Sequence, residues 1–270
     1  MPDLSDQVIV ITGSSRGLGQ ATAVEFQRAG ARVVLSSRQL ESVQAAVAAL
    51  PHPEAAFGLA CDVRDLAQVR ALADAAVSRF GRVDVWVNNA GVSPGWGKLA
   101  EIDPGRWREA FDTNFIGTYN GCRAALEKML PVQQGQVINI LGVGADRPAP
   151  NQTAYGTAKA AVARLTETLS IEYANRGIAF KAVMPGMIWT EMLTRAEGVE
   201  SHLRSRMEWA MRVFGNPPQV PARFVVQIAG RPGENGKTFK LLSPRVYVPR
   251  MIGEMFGSGR RNPRPWESRS

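Results

Sequence analysis

The chain predicts an α/β fold class: one doubly wound parallel sheet with helices on both faces. Two patterns carry that prediction. Short apolar runs alternate strictly with longer stretches of helical periodicity, and a glycine-rich turn separates the first run from the first helix. The runs are continuous rather than alternating, as strands buried on both faces must be, which marks a parallel sheet covered by helices.

The elements follow in order. Val8-Ile9-Val10-Ile11 is a strand, and a helical pattern from Leu18 to Ala29 stops at Gly30. Arg32 to Ser36 is a second strand, Leu40 to Leu50 an Ala-rich helix, and Ala56 to Cys61 a third strand. Leu66 to Phe80 is a helix closed by Gly81, and Val83 to Val87 a fourth strand. Asp103-Pro104 supplies a cap and a first-turn proline for one long helix from Pro104 to Leu130. Gln136 to Ile140 is a fifth strand, the next helix runs to Arg176 and ends at Gly177, and Ile178 to Val183 is a sixth strand.

From Thr190 to Phe214 the rhythm changes to an amphipathic helix with Leu193, Leu203, Met207, Met211 and Phe214 on its apolar positions. A helix from Val220 to Ala229 and a strand from Thr238 to Leu242 restore the alternation. Residues 190–216 are therefore a helical lid inserted in one domain spanning 1–256. The remainder, 257–270, is a basic tail: in the last thirty residues six arginines face two glutamates.

With 270 residues and 45% hydrophobic content, a large core can be buried. The polar N-terminus lacks a basic patch followed by an apolar stretch, and no apolar run approaches ~20 residues, so a cytoplasmic protein without a membrane span is expected. The formal charge of +8 sits largely in the tail, which reads as solvated, so nucleic acid is not an expected partner. Cys61 and Cys122 lie among small or apolar neighbours and read as buried free thiols.

Thr12-Gly13-Ser14-Ser15-Arg16-Gly17-Leu18-Gly19 follows the first strand and opens the first helix. Glycines there let the backbone turn and approach a pyrophosphate, while the helix N-terminus offers amide donors. Tyr155 and Lys159, at i and i+4 on one helix, share a face, and the lysine charge should favour the phenolate.

These motifs, in order, resemble the short-chain dehydrogenase/reductase family from Asp6 to about Leu242, and so imply a Rossmann-like fold. The resemblance implies cofactor contacts at Gly13, Ser15, Arg16, Gly17, Leu18 and Gly19, at Asp62 and Val63, and at Asn89, Ala90 and Gly91. It adds Pro185, Gly186, Ile188 and Thr190 beneath the nicotinamide. It implies catalysis by Tyr155 and Lys159, with Asn114 holding a water, and assembly as a homodimer or homotetramer. The second strand ends in Ser36-Ser37-Arg38 rather than in a carboxylate. Ser37, Arg38 and Arg16 therefore favour NADP(H) over NAD(H), because a planar guanidinium fork suits a 2′-phosphate.

The family's catalytic serine lies thirteen residues before the tyrosine, and that position here is Gly142. Three readings follow. A backbone N–H, a water in the vacated space, or the hydroxyl of Ser93 or Thr153 supplies the missing donor in an ordinary oxidoreductase. Alternatively, the site runs elimination, isomerisation or cyclisation without hydride transfer, or the chain is a weakened nucleotide-binding protein. The small-molecule substrate would meet Gly142, Ser93 and Trp96. Trp96, Trp189, Met207 and Met211 fit either an apolar substrate or the packing of the lid on the body.

Overall fold

In the computed structural model, which describes residues 1–189, 209–242 and 244–255, seven parallel strands form one sheet in the order β3-β2-β1-β4-β5-β6-β9. The strands are β1 (Val8–Ile11), β2 (Arg32–Ser37), β3 (Ala56–Ala60), β4 (Val85–Asn88), β5 (Gly135–Ile140), β6 (Ile178–Met184) and β9 (Thr238–Lys240). A second, two-stranded ladder pairs β7 (Met187–Ile188) with β8 (Gly215–Asn216). The helices are α1 (Gly17–Arg28), α2 (Leu40–Ala48), α3 (Leu66–Phe80), α4 (Pro104–Phe111), α5 (Gly117–Met129), α6 (Thr153–Glu172), α7 (Gln219–Ala229) and α8 (Pro244–Met255). This is the doubly wound, Rossmann-like architecture, in a single domain.

Period-two side chains divide the core between the two faces of the sheet. Ile9, Ile11, Val85, Val87, Ile138, Ile140 and Val183 point to one side, where α1, α2 and α7 cover them. Val8, Val10, Trp86, Val137 and Phe180 point to the other, beneath α3, α5 and α6. Each face is dry only because a crossover helix returns over it, so the strands can be apolar throughout.

Several boundaries differ from the sequence reading. The helix expected from Pro104 to Leu130 is interrupted: Asp112–Ile116 adopts a π-turn between α4 and α5. Thr118 Oγ1 donates to Asn114 O at 2.8 Å, and the Asn114 amide donates to Ala110 O at 2.7 Å, so side chains take up carbonyls at the bulge. The helix α6 ends at Glu172 rather than Arg176, and β9 at Lys240 rather than Leu242. The sequence reading also lacked α8. Most of the expected lid, residues 190–208, and the basic tail lie outside the described residues. Beyond them, Trp209, Phe214 and Tyr247 form edge-to-face contacts that join the end of the lid to α8.

A cation lies inside the core. Lys181 on β6 is fully buried, and its Nζ donates to Gln136 Oε1 at 2.5 Å, to Ile228 O at 3.1 Å and to Arg231 O. It thus satisfies carbonyls at the C-terminal end of α7, where the helix dipole favours a cation. Gln136 is held in turn, its amide donating to Ala229 O at 2.9 Å. Lys181→Met strands three acceptors at once and is expected to lower the unfolding free energy by roughly 2–4 kcal/mol, read as a lower urea midpoint.

Candidate active site

The strand order reverses between β1 and β4, so their carboxyl ends open a crevice. Both loops that leave this edge are tied together. Thr12 Oγ1 accepts the N–H groups of Asn89 and Ala90 at 3.0 and 3.1 Å, while the Asn89 amide donates to Thr12 O and Gly13 O at 2.9 and 3.0 Å. The approach leaves no room for a side chain at Gly13, whose Cβ would lie 2.7 Å from Ala90 Cα, or at Gly19, where it would lie 2.5 Å from Asn89 Nδ2. Gly13 and Gly17 also have φ of +63° and +58°, in the left-handed region. Ser14, fully buried, fastens the loop to β2: its hydroxyl donates to Ile11 O at 2.8 Å and accepts the Ser36 N–H at 2.9 Å. The loop therefore hands the chain to α1 at Gly17, with Ser15 half-buried, Arg16 exposed and Leu18 anchored in the core.

On the far side of the crevice stand Tyr155 and Lys159 of α6. The Lys159 Nζ lies 5.6 Å from the Tyr155 ring centre and donates to Ile140 O at 2.8 Å. Burial pushes the lysine pKa down to about 8 and the phenol up to about 12. The expectation that the lysine charge lowers the phenol is corrected on that point, because desolvation of the phenolate outweighs a cation turned toward Ile140 O. Asn114, placed by the π-turn, donates to Val92 O at 2.7 Å as well as to Ala110 O. Its Oδ1 is buried with no partner among the described residues, and it lies against Gly91, whose Cβ would sit 2.7 Å away.

The position of Gly142 is not vacant. A Cβ built there would strike the Tyr155 hydroxyl and lie 2.8 and 2.9 Å from the ring atoms Cε1 and Cζ. The phenol itself fills the space where a water was one option. Of the substitute donors, the Ser93 hydroxyl accepts from Gly95 N–H at 3.4 Å, and Thr153 Oγ1 accepts from the Trp107 indole at 3.2 Å.

Past the carboxyl end of β3, Val63 is buried under Gly117 and Asn120, and Asn120 donates to Val63 O at 2.9 Å. Arg64 chelates the Asp62 carboxylate, holding its pKa below the usual range. Ser37 donates to Gln39 O at 2.8 Å, and Arg38 pairs with Glu109 at 3.1 Å. Past β6, Gly186 adopts φ of +77° after Pro185 where Leu242 packs, and Ile188 pairs with Asn216. Trp96 is partly buried in a loop tied to the start of α6 by the Gly97 N–H to Asn151 O contact of 3.1 Å. The Trp189 indole donates to Met211 O at 3.3 Å and packs over Gly215, so this pair joins lid to body. Thr190 and Met207 lie outside the described residues.

The model of the family described as short chain dehydrogenase matches residues 7–200. The chain belongs to that family. Among its relatives, glucose 1-dehydrogenase 2 of Bacillus subtilis is 32% identical over 82% of this chain and 86% of its own. Levodione reductase of Leifsonia aquatica is 36% identical over 70% of this chain and 72% of its own. A crystal structure of levodione reductase superposes with a TM-score of 0.81 at 28% identity, covering 90% of this chain and 98% of that one. A 3-ketoacyl-(acyl-carrier-protein) reductase from Brucella melitensis, complexed with NADH, gives 0.80 at 26% identity over 88% and 97%.

As a short-chain dehydrogenase, the chain carries its glycine loop, Asn114, Tyr155 and Lys159 on one edge of the sheet. Sequence reasoning assigned no role to Thr12, Ser14, Arg64 or Glu109. The first two could have been found as hydroxyls flanking Gly13 in a loop that must be pinned; the other two meet only through the fold. Among the described residues no helix is long and apolar enough to cross a membrane.

Lys159 differs from Lys181 in having one acceptor instead of three, so its burial is poorly compensated. Its folded pKa of about 8 lies below the unfolded-chain value of 10.5, so the charged form opposes folding below pH 8 and the cost fades as pH rises toward the unfolded value. Lys159→Met without cofactor is expected to be more stable than wild type at pH 7 by about 2 kcal/mol. Thermal unfolding across pH should show the gap closing toward pH 10.

Proposed function

We propose that the chain is an NADP(H)-dependent oxidoreductase that interconverts a carbonyl and an alcohol in a small-molecule substrate, with Tyr155 as general acid/base. The observation that carries the reading is the convergence of Tyr155, Lys159 and Asn114 on the crevice opened by the glycine loop. The residues fit a dinucleotide: the two loops are cleared of side chains at Gly13, Gly19 and Gly91, and the buried Asn114 Oδ1 lacks a partner among the described residues. The end of β2 supplies Ser36, Ser37 and then Arg38 with no carboxylate of its own, which favours NADP(H) over NAD(H).

When bound, the nicotinamide supplies the hydride exchange. Tyr155, with its pKa near 12, holds its proton at neutral pH and can donate it to a carbonyl oxygen that gains charge. In the oxidising direction Tyr155 must first release its own proton so that the phenolate can accept the alcohol's, which requires the Lys159 ammonium to turn from Ile140 O toward the phenol and the ribose hydroxyls. In this reading Asn114 Oδ1, buried and without a partner among the described residues, accepts a hydrogen bond from a water joining Lys159 to solvent. Asp62, Val63, Asn89, Ala90, Pro185, Gly186, Ile188 and Thr190 belong to the cofactor's side of this reading, Ser93, Trp96 and Gly142 to the substrate's.

Gly142 supports a second reading, in which Tyr155 serves elimination, isomerisation or cyclisation, because no side-chain donor accompanies the phenol there. Product formed with no change in nicotinamide absorbance favours that reading over the first. Assembly as a homodimer or homotetramer in the cytoplasm completes the proposal and is tested by light scattering of the purified chain.

Tyr155→Phe is expected to lower carbonyl reduction by roughly 10²–10⁴-fold in an NADPH absorbance assay. Gly142→Ala should lower it about 10–100-fold, because the phenol must retreat by a substantial fraction of an ångström. Gly142→Ser should then recover part of that loss if the reacting oxygen benefits from a hydroxyl. Equal rates for wild type and Gly142→Ala would show that the position of the phenol does not govern the reaction.

A further inference from the structure

The ends of β2 and β3 are neighbours, with Ser37 in register with Ala60. Arg38 therefore leaves the sheet beside the Asp62-Val63-Arg64 turn, at the end of the crevice where the adenosine ribose of a dinucleotide lies in doubly wound folds. Glu109, in the last turn of α4, reaches this edge from another part of the chain. Its Oε1 is 3.1 Å from Arg38 Nη1 and 3.8 Å from Arg64 Nη1.

Two guanidinium groups thus converge on one carboxylate oxygen. The orientation of Arg64 is fixed independently: its Nε lies 3.0 Å from both Asp62 oxygens and its Nη2 2.5 Å from Oδ2, which leaves Nη1 turned toward Glu109. The other carboxylate nearby, Asp112, is bound by Arg108 at 2.9 Å. Converging planar donor forks are the geometry that recognises phosphate.

We propose that Arg38 and Arg64 form a two-arginine cradle for the 2′-phosphate of NADP(H), and that Glu109 occupies it as a stand-in anion which the phosphate displaces. This rests on the NADP(H) reading above and adds Arg64 and Glu109 to it. The exchange is chemically favourable in direction. A phosphate monoester carries about −1.5 to −2 charges against one for a carboxylate, and Glu109 is 44% exposed, so its side chain can turn to water when released. An NAD(H) ribose, with only a hydroxyl to offer, leaves the arginines with Glu109. Glu109 therefore competes with the phosphate and moderates the preference that the arginines create.

The test measures NADPH and NADH dissociation constants by nicotinamide fluorescence at low salt for wild type, Glu109→Gln, Arg64→Gln and Arg38→Asp. Glu109→Gln is expected to tighten NADPH binding about fivefold and to change NADH binding less than about twofold, with the gain shrinking as salt rises. Arg64→Gln, which keeps a donor for Asp62, should weaken NADPH about tenfold and NADH far less. If Arg38→Asp abolishes a preference for NADPH but Glu109→Gln leaves the ratio of the two constants unchanged, the stand-in role is overturned and the NADP(H) reading stands. Equal losses of both cofactors in Arg64→Gln overturn its place in the cradle. A wild type without NADPH preference, unmoved by Arg38→Asp, overturns the NADP(H) reading and the cradle with it.

Discussion

The structure depends on one reciprocal clamp, in which the Thr12 hydroxyl receives two backbone N–H groups from the end of β4 and the Asn89 amide answers with two bonds to the end of β1. Parallel strands separate after their last ladder bond, and nothing in the sheet itself keeps adjacent loops together beyond that point. The clamp does so across the switch point. It fixes the direction in which α1 begins, the floor of the crevice, and the origin of the loop carrying Ser93 and Trp96. Glycines at 13 and 19 follow from it, since any side chain would separate the partners.

Beneath the clamp lies a second set of buried polar contacts. The Trp86 indole donates to Asn88 Oδ1 at 2.8 Å, Asn88 to Asn139 Oδ1 at 2.8 Å, and Asn139 to Thr166 Oγ1 at 2.8 Å. Asn88 and Asn139 are register partners in β4 and β5, so the bond between them is lost if either strand slips. Thr166 belongs to α6, the helix that carries Tyr155 and Lys159. The depth of the Tyr155 and Lys159 pair is therefore referenced to the sheet through a satisfied polar chain as well as by apolar packing.

Strands, most helix ends and the glycine loop were readable from sequence because their signals are local: apolar runs, Asp103 as a cap, Gly81 in the left-handed region. The candidate site residues were readable as a set of motifs, and their shared edge of the sheet followed from strand alternation. What escaped has a common physical cause. The π-turn leaves apolar periodicity nearly intact while adding a residue to one turn. The elevation of the Tyr155 pKa depends on burial, which no i, i+4 spacing reports. Glu109 meets Arg38 across 71 residues of chain, and the closeness of Tyr155 to Gly142 depends on how a helix start seats against a strand end.

The π-turn at Asp112–Ile116 also sets the phase between two helices. One residue of an α-helix corresponds to about 100° of rotation, so α4 and α5 are offset as two gears meshed with different partners. The first faces Thr153 through Trp107, and the second lays Gly121 so close to Asn88 and Trp86 that no side chain fits. Removing a single residue from the segment would restore an unbroken helix and turn one of these faces away from its contact. Residue number here is thus as constrained as residue identity: substitutions can be absorbed one at a time, but a change of length would take both the buried asparagine and the helix seat with it.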